Sequence, residues 1–145
     1  MYKRRQYTWS DGKSLRLFDH TLIMGILNGT PDSFSDGGLH NTPKAAVTWT
    51  KQMIQDGADV IDLGVESTRP GCTPLSADEE IERLSVLLDP VLEASSVPVS
   101  IDTYHAKTAD YAFSKGAHIL NDIWGLHYDP DMAAVAAKYR VPVII

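Results

Sequence analysis

Cysteine is almost absent from this chain. Cys72 stands alone, so no disulfide can form within it, and a reducing, cytoplasmic compartment is the expectation. Long apolar runs are also missing: none approaches the ~18 residues of a membrane span. The basic opening MYKRRQYTWSDGK is not followed by an apolar segment, so no secretory leader is expected. Positive charge is scarce, with 13 Lys and Arg against 19 Asp and Glu and a net charge of -6. That argues against a nucleic-acid phosphate track as the partner. A small anionic ligand remains open, because it needs local donors or a metal and not bulk charge. The five histidines are scattered, without zinc spacing, and read as surface or core-edge residues.

What is present is the composition of a folded domain, 43% hydrophobic and 22% charged over 145 residues. Residues 1–21 read as a hairpin segment in which two alternating stretches flank the tight-turn pair Asp11-Gly12. From residue 22 onward a strand–loop–helix unit repeats. TLIMGILN is a near-continuous apolar strand, the pattern of a strand covered on both faces. The next helix has Asn41 or Thr42 as cap, Pro43 in its first turn and Gly57 at its stop. Trp49 and Met53, at helical spacing within it, read as core. ADVIDLG is the second strand. The second helix opens on Ser76 with Glu79 three residues on, a capping box, and repeats Ile81, Leu84, Leu88 and Leu92. VPVSID, AHILND and VPVII continue as strands, with helices over HAKTADYAFSKG and DPDMAAVAAKYR between them. Such alternation implies a parallel sheet with its working end at the C-terminal tips of the strands.

Those tips carry a repeated chemistry. Asn28 ends the first strand, Asp62 and Glu66 follow the second, Asp102 ends the third, and Asn121 with Asp122 ends the fourth. Singly, such residues cap helices or close turns. Together on one rim they suit the edge of a flat heterocycle and, through their oxygens, a hard cation. Asp62 lies mid-strand and reads as the structural member, bonded to neighbouring backbone amides. The loop GTPDSFSDGG after Asn28 is long and polar for a strand exit, with two carboxylates and one aromatic ring.

Four stretches, IMGILNGTPDSFSDGG, VIDLGVESTRPG, VSIDTYHA and ILNDIWGL, resemble in order and position the signatures of dihydropteroate synthase, from about Leu22 to the last residue. The resemblance implies an α/β fold of the (β/α)8 TIM-barrel family, here with about five strands in residues 22–145. It implies a transferase of folate biosynthesis that joins 4-aminobenzoate to a dihydropterin and releases pyrophosphate. Asn28 would ligate Mg²⁺, Thr68 would bind the pyrophosphate, and Asp102 and Asn121 would bind the pterin. Phe34, Ser35, Asp36, Arg69 and Pro70 would form the aminobenzoate pocket on two closing loops. Asp36 and Arg69 would take the catalytic part, with Asp36 aimed at developing positive charge. The implied partners are these two small molecules and, for full-length members, a second copy of the chain.

Three positions depart from the family's usual residues. Gly29 replaces a valine and loosens the loop start. Val65 replaces a glycine, which strains the backbone if φ is positive there. Trp124 replaces a small residue and either crowds the rim or stacks on a ligand. A complete barrel of this type needs about 250 residues. The expectation is therefore a poorly soluble or self-associating chain, inactive alone. The alternatives are a pterin-binding methyltransferase-like barrel and a non-catalytic remnant.

Overall fold

Short polar caps and glycines set the element boundaries in the computed structural model, which describes residues 4–30, 42–67 and 71–145. Strands β1 (Arg5–Thr8) and β2 (Ser14–Leu17) form an antiparallel hairpin. Its connection spans residues 9–13 and is wider than the two-residue turn expected. Within it Trp9 N–H bonds Lys13 O at 2.9 Å, and Gly12 takes φ +86°. Helix α1 (Pro43–Gln55) starts at Thr42, whose hydroxyl accepts the Ala45 N–H, and ends before Gly57 at φ +108°. Helix α2 (Ala77–Ala94) carries the reciprocal Ser76–Glu79 box. Helices α3 (Ala106–Ser114) and α4 (Met132–Tyr139) complete the layer.

The strands β3 (Met24–Asn28), β4 (Val60–Gly64), β5 (Val99–Asp102), β6 (Ile119–Asn121) and β7 (Val143–Ile144) form one parallel sheet in sequential order. Sequential order without a reversal is the order of a (β/α) barrel wall and not of a doubly wound sheet. One sheet face carries Leu27, Ile61, Leu63, Val99, Ile101 and Leu120, all buried against Leu84, Leu88, Val91, Ala109 and Met132 of the helices. The other face carries Met24, Ile26 and Asn28 at alternate positions of β3. Both faces of β3 were expected to be covered. Instead Ile26 is 57% exposed, because the helices all pack on the Leu27 side. Trp49 is likewise exposed at 39%, while Met53 packs on the core.

The hairpin lies under the N-terminal ends of the strands, away from the polar tips. The Nζ of Lys13 donates to Leu92 O at 3.3 Å, and Trp9 meets the His118 ring edge-on at 5.2 Å. His118 is 1% exposed and holds Asp11 Oδ2 at 2.7 Å through Nε2 while its Nδ1 accepts the Val99 N–H. That bonding requires the neutral Nε2–H ring. Burial, outweighing the Asp11 contact, holds its pKa below the usual histidine value.

Two of the three departures have a packing account. A side chain on buried Gly29 would overlap Leu87, with its Cβ 2.3 Å from Leu87 Cδ1 and 3.2 Å from Val65 Cγ1. Glycine here makes room for a core already filled by Leu87. Val65 is 1% exposed and is not among the positive-φ residues, so it carries no backbone strain. Gly29→Val is expected to cost about 1–3 kcal/mol by urea denaturation through overpacking, with Leu87→Val in the same chain recovering part of it. The bare Ile26 face and the sheet edges β3 and β7 lead to a second expectation. Light scattering on the 145-residue chain should show self-association that grows with concentration; a monodisperse monomer with one cooperative melt would contradict it.

Candidate active site

The parallel register sets the site. Asn28 pairs with Gly64, and Asp102 pairs with Asn121. Leu63 pairs with Ile101, so Gly64 and Asp102 are the next neighbours in the same row. Asn28, Gly64, Asp102 and Asn121 thus form one line across the C-terminal tips of four adjacent strands, on the face the helices leave bare. Gly64 matters for its lack of a side chain. A Cβ there would sit 3.2 Å from the Asp102 Cβ, inside the gap between Asn28 and Asp102.

Two residues back along the same face lies a second row containing Asp62 and Ser100. Asp62 is 3% exposed. Its Oδ2 accepts from Asn121 Nδ2 at 3.1 Å, and its Oδ1 accepts from the Ser100 hydroxyl. Asp62 is mid-strand as expected, but its partners are side chains on β5 and β6 and not neighbouring backbone amides. It orients Asn121, leaving the amide oxygen of that residue as acceptor at the rim. Asp122, grouped with Asn121 in the sequence, turns elsewhere: it is buried and accepts the N–H groups of Trp124 and Leu126, each at 2.9 Å. It shapes the loop after β6.

The site is electrostatically unusual. Burial pushes the Asp102 carboxyl up to about 7, helped by the negative charges of Asp62, Glu80, Glu66 and Asp122. Burial also raises Asp62, against its bonds from Ser100 and Asn121. A half-buried carboxyl poised near neutrality, beside an amide oxygen, accepts a pair of N–H groups on a planar ring edge. The structure therefore brings together Asn28, Asp102 and Asn121 of the expected residues. Phe34, Ser35, Asp36, Thr68, Arg69 and Pro70 lie outside the described residues. Beside the ends of β3 and β4 is a cavity of about 560 Å³ lined by Thr30, Ser67, Cys72, Leu75, Glu79 and Arg83. A second one, of about 420 Å³, lies at the far end of the sheet between the hairpin and His118.

Several contributors escaped the sequence reading. Ser100 was legible, since it stands two positions before Asp102 and so shares its face. Glu80 was not: it is the fourth residue of an acidic helix start, yet it is 1% exposed. Its Oε2 accepts from Thr103 at 3.0 Å, Thr108 at 2.6 Å and the His105 ring at 2.9 Å. Trp124 is 53% exposed, outside the core, and tilts against Tyr128, which meets Tyr104 edge-on.

Residues 24–145 match the family model described as "Pterin binding enzyme". The chain is 54% identical over 130 residues to a dihydropteroate synthase of Clostridium beijerinckii, covering 90% of this chain and 48% of that one. Among solved structures, Xanthomonas albilineans dihydropteroate synthase with 4-aminobenzoic acid superposes at TM-score 0.83 with 39% identity, over 93% of this chain and 49% of that one. The Anaplasma phagocytophilum enzyme with bound 6-hydroxymethylpterin-monophosphate gives TM-score 0.74 and 46% identity, over 86% and 48% respectively. The chain thus spans about half the length of the relatives it matches. A one-sided sequential parallel sheet, a line of amide and carboxylate tips, and a family match over nearly all of it agree: this chain belongs to the pterin-binding enzymes.

Proposed function

We propose that this chain carries the pterin-binding wall of a dihydropteroate synthase, which condenses 4-aminobenzoate with 6-hydroxymethyl-7,8-dihydropterin pyrophosphate. The observation that carries this reading is the row Asn28, Gly64, Asp102, Asn121 on one rim, with Asp102 held near neutral pKa. A pterin presents ring N–H and amino donors side by side. Ionised Asp102 accepts such a pair, and Asn121, steered by Asp62, supplies a further acceptor. The Anaplasma relative binds a hydroxymethylpterin monophosphate and the Xanthomonas relative 4-aminobenzoic acid, which supports both substrates here.

Asn28 would hold Mg²⁺. A single amide oxygen is a sparse protein ligand set, which fits an ion that keeps several waters and takes substrate phosphates as its other ligands. When bound, the ion stabilises negative charge on the departing pyrophosphate. Thr68 would hydrogen-bond the same group. Phe34, Ser35, Asp36, Arg69 and Pro70, on the two loops after β3 and β4, would enclose the aminobenzoate and exclude water from the reacting carbon. The chain's own contribution to rate is then orientation: a pterin held by its edge presents its methylene carbon to the second substrate.

Two outcomes test this. Titration of the chain with 6-hydroxymethylpterin should show affinity rising with pH and levelling off above about 7, as Asp102 ionises. Asp102→Asn should weaken binding by about tenfold to a hundredfold, the worth of a charge-assisted bond, and remove that pH dependence. The sign for stability is opposite. The folded carboxyl holds its proton to about pH 7 whereas the unfolded one loses it near 4, so this group's stabilising effect declines between those values as pH rises. Asp102→Asn should flatten the decline. Separately, the 145-residue chain alone should give negligible dihydropteroate from the two substrates, assayed by product formation; sustained turnover by it would contradict the reading of a partial site.

A further inference from the structure

Just outside the pterin rim, where β4 and β5 run into their loops, Glu66, Glu80 and His105 converge. One donor atom from each lies within 4.8 Å of the others. The His105 Nδ1 is 2.9 Å from Glu80 Oε2 and 4.0 Å from Glu66 Oε2. The three side chains are 13%, 2% and 8% exposed for His105, Glu80 and Glu66. Donors around a tetrahedral ion at about 2.0–2.1 Å stand ~3.4 Å apart, so small side-chain shifts bring these three into place.

Two features separate this cluster from a surface acidic group. Glu66 has one oxygen fully engaged and the other not. Its Oε1 accepts from the Tyr104 hydroxyl and from Leu75 N–H at 3.3 Å. Its Oε2 is buried, with no hydrogen-bond partner, and faces His105. A buried carboxylate oxygen left without a donor is costly, and bonds to its twin fix where it points. Glu80 is likewise oriented from outside, by the hydroxyls of Thr103 and Thr108. Hydroxyl and amide donors that aim carboxylates at a common point are the outer support of a metal centre.

We propose that Glu66, Glu80 and His105 form a site for a borderline divalent transition ion of the Zn²⁺ class, distinct from the Mg²⁺ expected at Asn28. Carboxylate oxygen and imidazole nitrogen are both ligand types that Zn²⁺ accepts, and three of them leave one position of a tetrahedral site open. Imidazole disfavours Mg²⁺ as the occupant, since that ion prefers oxygen donors and octahedral geometry. To ligate through Nδ1, the neutral His105 ring carries its single proton on Nε2, and the ion replaces the imidazole–Glu80 bond while meeting the orphan Glu66 oxygen. A bound ion would tie the start of α2 to the loops after β4 and β5.

The test is titration of the full 145-residue chain with Co²⁺ in the presence of millimolar Mg²⁺, followed by displacement with Zn²⁺. One equivalent of Co²⁺ should give visible d–d absorption of a low-coordinate site, lost on adding Zn²⁺. Glu66→Gln and His105→Gln should each weaken binding by at least about tenfold, while circular dichroism in chelator shows the fold retained. No absorption at millimolar Co²⁺, or an affinity unchanged in both variants, would overturn the site. The wild-type titration decides alone if a variant fails to fold. Pterin binding through Asp102 is scored separately, so failure here leaves that reading standing.

Discussion

Parallel register is the constraint on which the rest of this molecule depends. Because neighbouring strands run in the same direction and in sequence order, residues far apart in the chain become lateral neighbours at one end of the sheet. Asn28 and Asn121 are separated by three strands' worth of chain, yet they stand in one row. A slip of one residue in any pairing would turn a tip side chain from the rim into the helix layer. The core on the Leu27 and Leu63 side resists such a slip, since it would place polar tips against Leu84 and Leu88. Packing on one face thereby holds the chemistry on the other.

Burial does the electrochemical part. Asp62 sits deep enough to require partners, and it finds them in Ser100 and Asn121 on the next two strands. That bond fixes which end of the Asn121 amide faces the rim. The carboxylates of Asp62, Glu66, Glu80 and Asp122 then crowd Asp102 and lift its affinity for a proton. An acidic rim of this kind favours N–H donors and cations over anions. Gly64 contributes by omission, leaving the space that a side chain would take from Asp102.

The opposite end of the sheet has its own lock. The hairpin turn brings Asp11 and Lys13 beneath β6 and the end of α2, where His118 and Leu92 receive them. Burial alone would raise Asp11, but His118 and Lys13 together hold it well below the usual carboxylate range. The sequence reading placed the histidines at the surface or core edge. His118 is in fact a buried neutral bridge between two segments, and His105 lies inside a carboxylate cluster, because nothing in local pattern records what a ring meets across the fold.

Local chemistry determined the elements and the motif residues. Caps at Thr42 and Ser76 and the stop at Gly57 arise from interactions within a few residues, and the alternation of apolar strands with amphipathic helices and the polar residues at the strand ends are written in residue order, so all are legible without coordinates. Only the tertiary structure decided which tips share a row, that Asp62 serves Asn121, that Gly29 yields space to Leu87, and that Ile26 lies bare. It also drew Glu80 out of an acidic helix start into a buried cluster with Glu66 and His105. Those outcomes depend on which strand lies beside which and on the volume left between layers. Both are properties of long-range packing, for which neither a propensity nor a spacing carries a signal.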